Sequence, residues 1–328
     1  MLNKFVANNK SVYPIIFKGN FGMLESINCY LYEHNDFLTL IDAGINTREF
    51  QDYFEEQLTS YGFEIMDIDQ IILTHHHSDH IGLVNYIVKQ KSIPVYAHHL
   101  AIPRLLLKAE YQIQKIDFFS QLYTRYGCME LAESRLKKIK KTMDNSQLYR
   151  VNTDVLPLYE GIELGDLKII EAPGHSIDSI MLYDEDAKWL FVGDVLIKQG
   201  STNALIDHDE KGSLIPSVLQ HKTSIEKCLK LNANYIFPGH HQIYSTIHEV
   251  VENNISRINY KLDRLVAKIE EGNNSVTKLV HSIYGKRVDK EAALILSEVI
   301  GYLYYAEILL LIKPILKNGC LSFEKYVN

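Results

Sequence analysis

Four histidines and one aspartate fall within six consecutive positions of the stretch ILTHHHSDHIG, where His75, His77, Asp79 and His80 form the pattern HxHxDH. Neutral imidazole and carboxylate suit borderline metals such as Zn²⁺, and gathering them in one turn lowers the entropic cost of assembling a site. If a strand leaves through this turn into a helix, residues two apart can face one ion while Asp79 and His80 face a neighbouring ion. Three more ligand types follow in similar settings: His175 in EAPGHS, Asp194 in FVGD and His240 in FPGHH, each at the end of an apolar run. Two ions roughly 3.5 to 4 Å apart can hold a bridging hydroxide and polarise a carbonyl or phosphoryl oxygen. Asp79 is then placed to accept or return a proton. The chemistry expected is hydrolysis of an ester-like bond, with no serine or cysteine nucleophile required.

The elements that must carry these residues alternate along the chain. Short β-branched or aromatic runs precede turn residues at YPIIFKG, INCYLY, FLTLIDAG, DQIILTH, PVYAH, LKIIEAPG, SIMLYDE, KWLFVGD and YIFPGH, and read as strands of buried sheets. Between them, Asn46 followed by Glu49 resembles a capping box opening a helix with Phe50, Tyr53, Phe54 and Leu58 on one face. Another helix is expected from about Asp79 through Ile81, Val84 and Ile87. Residues 100–147 read as a helical insertion, and insertions of this kind commonly overlie a site built by the scaffold. From Asn253 the periodicity of Ile255, Ile258, Leu262, Leu265 and Ile269 is helical, with Gly272 as a stop.

In this order the motifs resemble the metallo-β-lactamase-fold superfamily over roughly residues 12 to 250. The resemblance implies an α/β fold, an αββα sandwich of two mixed sheets flanked by helices, with a dinuclear site at one sheet edge. Carried over by position, His75, His77 and His175 would bind one metal, Asp79, His80 and His240 the second, and Asp194 would bridge them. Asp42 in TLIDAG would support the ligands without binding metal. Zinc is the expected metal, with manganese and iron accepted by the same donors. His76 and His241 have the wrong parity for ligands and are read as surface or supporting residues. His34, His98, His99, His208, His221, His248 and His281 lack a ligand-like context, although His98 and His99 follow a strand that could line the pocket.

The resemblance also narrows the branch. Asp194 stands where true zinc β-lactamases carry cysteine, and His77 where flavodiiron proteins carry glutamate. Gly82-Leu83 departs from the Gly-Gly of glyoxalase II proteins. NNSVTKLVHSIYG and ILKNGCLSF resemble the winged-helix-type appendage of the lactamase-β-2-like branch, a plain helical bundle being the alternative. The expected domains are therefore 1–250, catalytic, and 251–328, small and mainly helical.

Composition bounds the rest. The chain has 328 residues, 46% hydrophobic and 23% charged, as in folded soluble proteins. Four scattered cysteines without a CxxC pair suit reduced thiols, and Met1–Lys10 lacks a leader's apolar stretch, so a cytoplasmic setting is expected. Ala292–Ile312 approaches the length of about 20 residues that spans a bilayer, but Glu298 and Glu307 favour a buried helix pair, without membrane insertion. A net charge of −7 argues against the whole chain as a nucleic-acid binder. Arg257, Lys261, Arg264 and Lys268 do share a helical face, so the alternative to a small-molecule ester substrate is a single-strand-specific endoribonuclease using the same metals. A DNA-binding regulator without catalysis and a homodimer through the tail complete the expectations.

Overall fold

The computed structural model describes residues 4–21, 24–200 and 202–326, so of the N-terminal stretch read for a leader residues 1–3 lie outside it. A seven-stranded sheet runs in the order β1 (Phe5–Ala7), β2 (Lys10–Phe21), β3 (Leu24–His34), β4 (Phe37–Ile41), β5 (Gln70–Leu73), β6 (Val95–His98) and β7 (Val155–Leu158). It is antiparallel through β4 and parallel from β4 to β7. The parallel half needs crossovers, supplied by α1 (Arg48–Tyr61), α2 (Val84–Gln90) and a helical insertion of α3 (Ile102–Leu105), α4 (Ala109–Arg125), α5 (Met129–Asp144) and α6 (Ser146–Tyr149). The second sheet holds β8 (Glu163–Leu164), β9 (Leu167–Glu171), β10 (Ile180–Asp184), β11 (Trp189–Gly193) and β12 (Tyr235–Pro238), with only β11 and β12 parallel.

Two-residue periodicity sorts these strands into layers. Ile41 and Ile72 face inward with Ile169, Leu182, Trp189, Phe191 and Phe237 of the other sheet. Leu40, Ile71 and Leu73 face outward onto Phe50, Phe54 and Leu58 of α1 and Val84 and Ile87 of α2. The outer face of the second sheet meets α7 (Ser217–Lys227), α8 (Ile247–Glu270), α9 (Val276–Tyr284) and α10 (Val288–Ile308), together with α4 and α5. The layers are helix, sheet, sheet, helix, as expected. Both faces of each sheet are apolar, which is why its strands read as short continuous hydrophobic runs.

Several local expectations give way. The chain does not enter a helix at Asp79; α2 starts at Val84, because the Gly82 and Leu83 amides donate to the carbonyls of Gly44 and Ala43 (2.7 and 2.9 Å), spending them on the neighbouring loop. Thr47, and not Asn46, caps α1, its hydroxyl accepting from the Phe50 amide at 3.2 Å. The stretch 292–312 is one helix, not a pair: α10 ends at Ile308 and the chain turns into β13 (Ile312–Lys317), paired with β14 (Cys320–Lys325) across Asn318-Gly319, both in the left-handed region. The tail is thus three helices and a hairpin, with Pro314 inside a strand. α8 begins at Ile247, ahead of Asn253. Among the described residues no helix is long and apolar enough to cross a membrane.

Candidate metal centre

The loops after β4, β5, β9, β11 and β12 meet at one edge of the sandwich. Three nitrogens face each other there: His77 Nδ1 lies 3.0 Å from His75 Nε2 and 2.9 Å from His175 Nε2. Beside them His80 Nε2 and His240 Nε2 stand 3.4 and 3.3 Å from Asp194 Oδ1, while Asp194 Oδ2 is 3.3 Å from His175 Nε2. Asp79 Oδ2 lies 3.5 Å from His240 Nε2. The seven residues singled out by spacing are therefore together, and the Asp194 carboxylate turns one oxygen to each imidazole group.

The far nitrogen of most rings is already committed. His80 Nδ1 donates to Asp42 (2.8 Å), His175 Nδ1 to the Asn203 carbonyl (2.9 Å) and His240 Nδ1 to the Ser26 carbonyl (2.8 Å); His75 Nδ1 lies 3.1 Å from the Thr74 hydroxyl. A ring that donates at Nδ1 presents a bare lone pair at Nε2 in its neutral form. His80 Nε2, His240 Nε2 and Asp194 Oδ1 are buried and have no hydrogen-bond partner among the described residues. Converging lone pairs on buried orphan atoms ask for a cation. Nitrogens about 2.0 to 2.1 Å from a tetrahedral Zn²⁺ stand about 3.3 Å apart, near the spacings seen here. His75, His77 and His175 could hold one ion, and Asp79, His80 and His240 another, with His75, His80 and Asp194 also mutually within ligand reach.

Burial, reinforced by neighbouring imidazoles, pushes His75 and His77 well below the usual histidine range, and burial also lowers His175. Burial would lower His80 too, but the Asp194 and Asp42 carboxylates outweigh it and hold that ring well above. Burial opposes ionising Asp194, yet His240, His80 and His175 keep it well below the ordinary carboxylate value. The field thus favours neutral rings at His75, His77 and His175 and an ionised carboxylate at the centre, as metal ligation requires. His240, where burial is outweighed by the Asp194 carboxylate, is raised like His80, so both of these rings would release a proton on binding a metal.

Backbone geometry explains the Pro-Gly-His tripeptides. A Cβ on Gly239 would lie 2.6 Å from Asp194 Oδ1 and His80 Cε1, and one on Gly174, at φ +142°, 2.2 Å from His221 Cα. Asp42 adopts φ +58°, and its carboxylate takes the Thr74 amide and hydroxyl (both 2.8 Å) besides His80. The spare histidines turn away: His76 binds Asp178 through Nδ1 (2.8 Å), and His241 Nδ1 lies 3.6 Å from Glu25. Asp178, fully buried and also accepting the His76 amide at 2.9 Å, pins the histidine turn to the loop after His175. Sequence reading missed it; its only signal is a carboxylate three residues beyond the Gly-His pair. His98 and His99 gather with Glu171 in a separate group, His98 Nε2 at 2.9 Å from the carboxylate.

The four cations on the face expected to track RNA have partners within the chain. Lys261 pairs with Glu298 (2.8 Å), Arg264 donates to the Ile283 carbonyl (2.8 Å), Lys268 pairs with Glu271 (2.5 Å), and Arg257 donates to the Gly200 carbonyl.

Comparison with known proteins agrees with this geometry. A family model described as the metallo-beta-lactamase superfamily matches residues 22–240. A probable metallo-hydrolase, YqjP of Bacillus subtilis, is 26% identical over 270 residues, 82% of this chain and 84% of that protein. A Caenorhabditis elegans homologue of beta-lactamase-like protein 2 is 24% identical over 78% of this chain and 69% of its own. Among solved structures, a metallo-beta-lactamase family protein from Thermus thermophilus superposes with a TM-score of 0.73 at 18% identity, covering 96% of this chain and 98% of its own. The chain belongs to the metallo-beta-lactamase superfamily.

Proposed function

We propose that this chain, a hydrolase of the metallo-beta-lactamase superfamily, cleaves an ester, thioester or lactone with two divalent ions, zinc being the expected metal. His75, His77 and His175 would hold one ion, Asp79, His80 and His240 the other, and Asp194 would serve both. The observation that carries this is the Asp194 carboxylate, whose two oxygens face two separate imidazole groups while Oδ1 stays buried without a hydrogen bond. Divalent ions bound there would supply the chemistry of an activated water near neutral pH and of charge withdrawal from a carbonyl oxygen.

The chain's own residues do the rest. Asp42, the Asn203 carbonyl and the Ser26 carbonyl fix the planes of His80, His175 and His240. Asp79 is the half-exposed carboxylate of the set and can take a proton and return it to the leaving group. The insertion forms one wall of the substrate cleft. The tail, drawn at 251–328, shares an apolar cluster with the outer face of the second sheet and on this reading braces that wall. Four unpaired cysteines support a reducing compartment.

The test is elemental analysis of wild type and Asp194→Ala, with a panel of aryl esters, thioesters, lactones and oligoribonucleotides. About two metals per chain in wild type, fewer in the variant, and carbonyl-ester turnover that falls with metal content support the reading. Cleavage of oligoribonucleotides alone would replace it with the nuclease, and less than one metal after reconstitution would remove the site.

A further inference from the structure

The loop between β11 and α7 carries the acceptor that sets the plane of His175, yet it has little structure of its own. His175 donates Nδ1 to the Asn203 carbonyl (2.9 Å), and the Leu205 amide donates back to the His175 carbonyl (3.3 Å). Among the described residues, that amide makes the only backbone-to-backbone hydrogen bond of residues 196–206. A segment without a ladder keeps its shape only if side chains take its amides and carbonyls. Most of them come from the tail. Asn254 on α8 donates Nδ2 to the Ile197 carbonyl (3.0 Å), Arg257 donates to the Gly200 carbonyl, and the Ser297 hydroxyl on α10 accepts from the Ile206 amide (2.8 Å). Just ahead of the tail, Tyr244 donates to the Leu196 carbonyl (2.9 Å), and on α3 Arg104 places Nη2 2.8 Å from Asp207, the next residue along. Asn203 thus lies between two points fixed by tail helices, Gly200 and Ile206.

Asn254 and Ser297 are 2% and 0% exposed. Asn254 interrupts the apolar stripe that Val250, Val251, Ile258 and Leu262 make along α8, and Ser297 stands among Leu296, Val299 and Ile300 on α10. A buried amide or hydroxyl costs stability unless its hydrogen bonds are made, so helix packing alone would place apolar side chains at both positions. Asn254 satisfies itself on the Val250 carbonyl of its own helix (2.8 Å) and on the loop; Ser297 meets the loop directly. What both polar residues gain over an apolar one is a fixed loop, and the loop's contact with the cradle is the Asn203 carbonyl on His175.

We propose that Asn254 and Ser297 are positioning residues for the metal centre: by fixing residues 197–206 they hold the Asn203 carbonyl against His175 Nδ1, so the tail completes the cradle without reaching it. The assignment rests on the metal-centre reading above. The test uses the full chain loaded with Co²⁺, comparing wild type, Asn254→Leu and Ser297→Ala with Leu279→Ala, which thins the tail's apolar core on α9 and touches none of these hydrogen bonds. Competitive chelation should show one Co²⁺ dissociation constant, the same one in both loop variants, raised by about tenfold, the lower end of the range for losing a ligand's own acceptor. In the paramagnetic proton spectrum one shifted imidazole N–H signal, again the same in both, should exchange faster with solvent. Leu279→Ala should melt lower yet keep both readouts at wild-type values. Wild-type affinity and exchange in either folded loop variant, or an equal loss in Leu279→Ala, overturns the inference while leaving the centre in place. Fewer than one Co²⁺ per wild-type chain overturns the centre and this inference with it.

Discussion

Two buried charged clusters sit at opposite ends of the second sheet and are settled in opposite ways. At the end formed by Asp184 and Trp189, the ammonium of Lys10 lies 3.0 Å from Asp184 and 3.5 Å from both Asp166 and Asp186. Asp184 also accepts from the Tyr32 hydroxyl (2.8 Å) and the Ala187 amide (2.9 Å), so the cluster is closed by the protein's own cation and donors. At the other end, after Gly193, Asp194 faces His80, His175 and His240 with three orphan atoms among them. Each cluster is centred on a buried carboxylate, Asp184 or Asp194. What marks a functional site is the unfinished hydrogen bonding.

The largest effect should come from the unfinished end. Asp194→Ala is expected to reduce bound metal from about two per chain to one or none and to lower kcat/KM by at least about 10³-fold, roughly 4 kcal/mol of transition-state stabilisation. With chelator present, the same substitution should cost less folding stability than any change at Lys10, as denaturant titration would show. A metal-free Asp194→Ala protein less stable than Lys10→Met would mean that both clusters are structural.

The closed end should behave in reverse. Lys10→Met leaves Asp184 buried without its cation and should destabilise the fold by about 3 kcal/mol or more while metal content stays at the wild-type value. Loss of metal in a folded Lys10→Met protein would contradict the separation of the two ends.

A smaller effect lies between these extremes. Asp42→Asn keeps the shape but weakens acceptance from His80 and from Thr74, and it should lower metal affinity or turnover by about 10- to 100-fold. Competitive chelation would read the affinity directly. An unchanged dissociation constant together with unchanged turnover would make Asp42 a loop residue only.

The two ends were unequally legible in the sequence. The cradle announces itself because histidine and aspartate at strand ends are few and chemically distinctive, and because Gly174 and Gly239 must lack side chains where loops close on His221 and on Asp194. The Lys10 cluster left no trace, since its partners lie 174 positions apart and lysine and aspartate are ordinary surface residues. Arg104 and Asp207 were hidden for the same reason, 103 positions apart. The helix misplaced at Asp79 was a contest that periodicity cannot see: the Gly82 and Leu83 amides had better acceptors in the Asp42 loop. The β13–β14 hairpin was obscured by an apolar run shared between the end of α10 and the strand that follows it.

The smallest predicted effect separates the ends by pH. Burial alone would lower the Lys10 ammonium's pKa, but the Asp184 hydrogen bond and the charges of Asp184, Asp166 and Asp186 more than offset it, leaving it raised. In the unfolded chain a lysine titrates near about 10.4. Because the folded value is higher, the folded state keeps its proton longer, so this contribution is complete below the unfolded value and drains away as pH rises through the folded one. Tyr32, itself raised by burial and by its bond to Asp184, moves stability in the same direction, but it is present in both proteins compared. Wild type should therefore lose stability above about pH 10 more steeply than Lys10→Met, by less than the substitution itself costs. Parallel denaturation midpoints across that range would show that Lys10 neutralises nothing, and the distinction between a closed and an open cluster would then rest on the metal end alone.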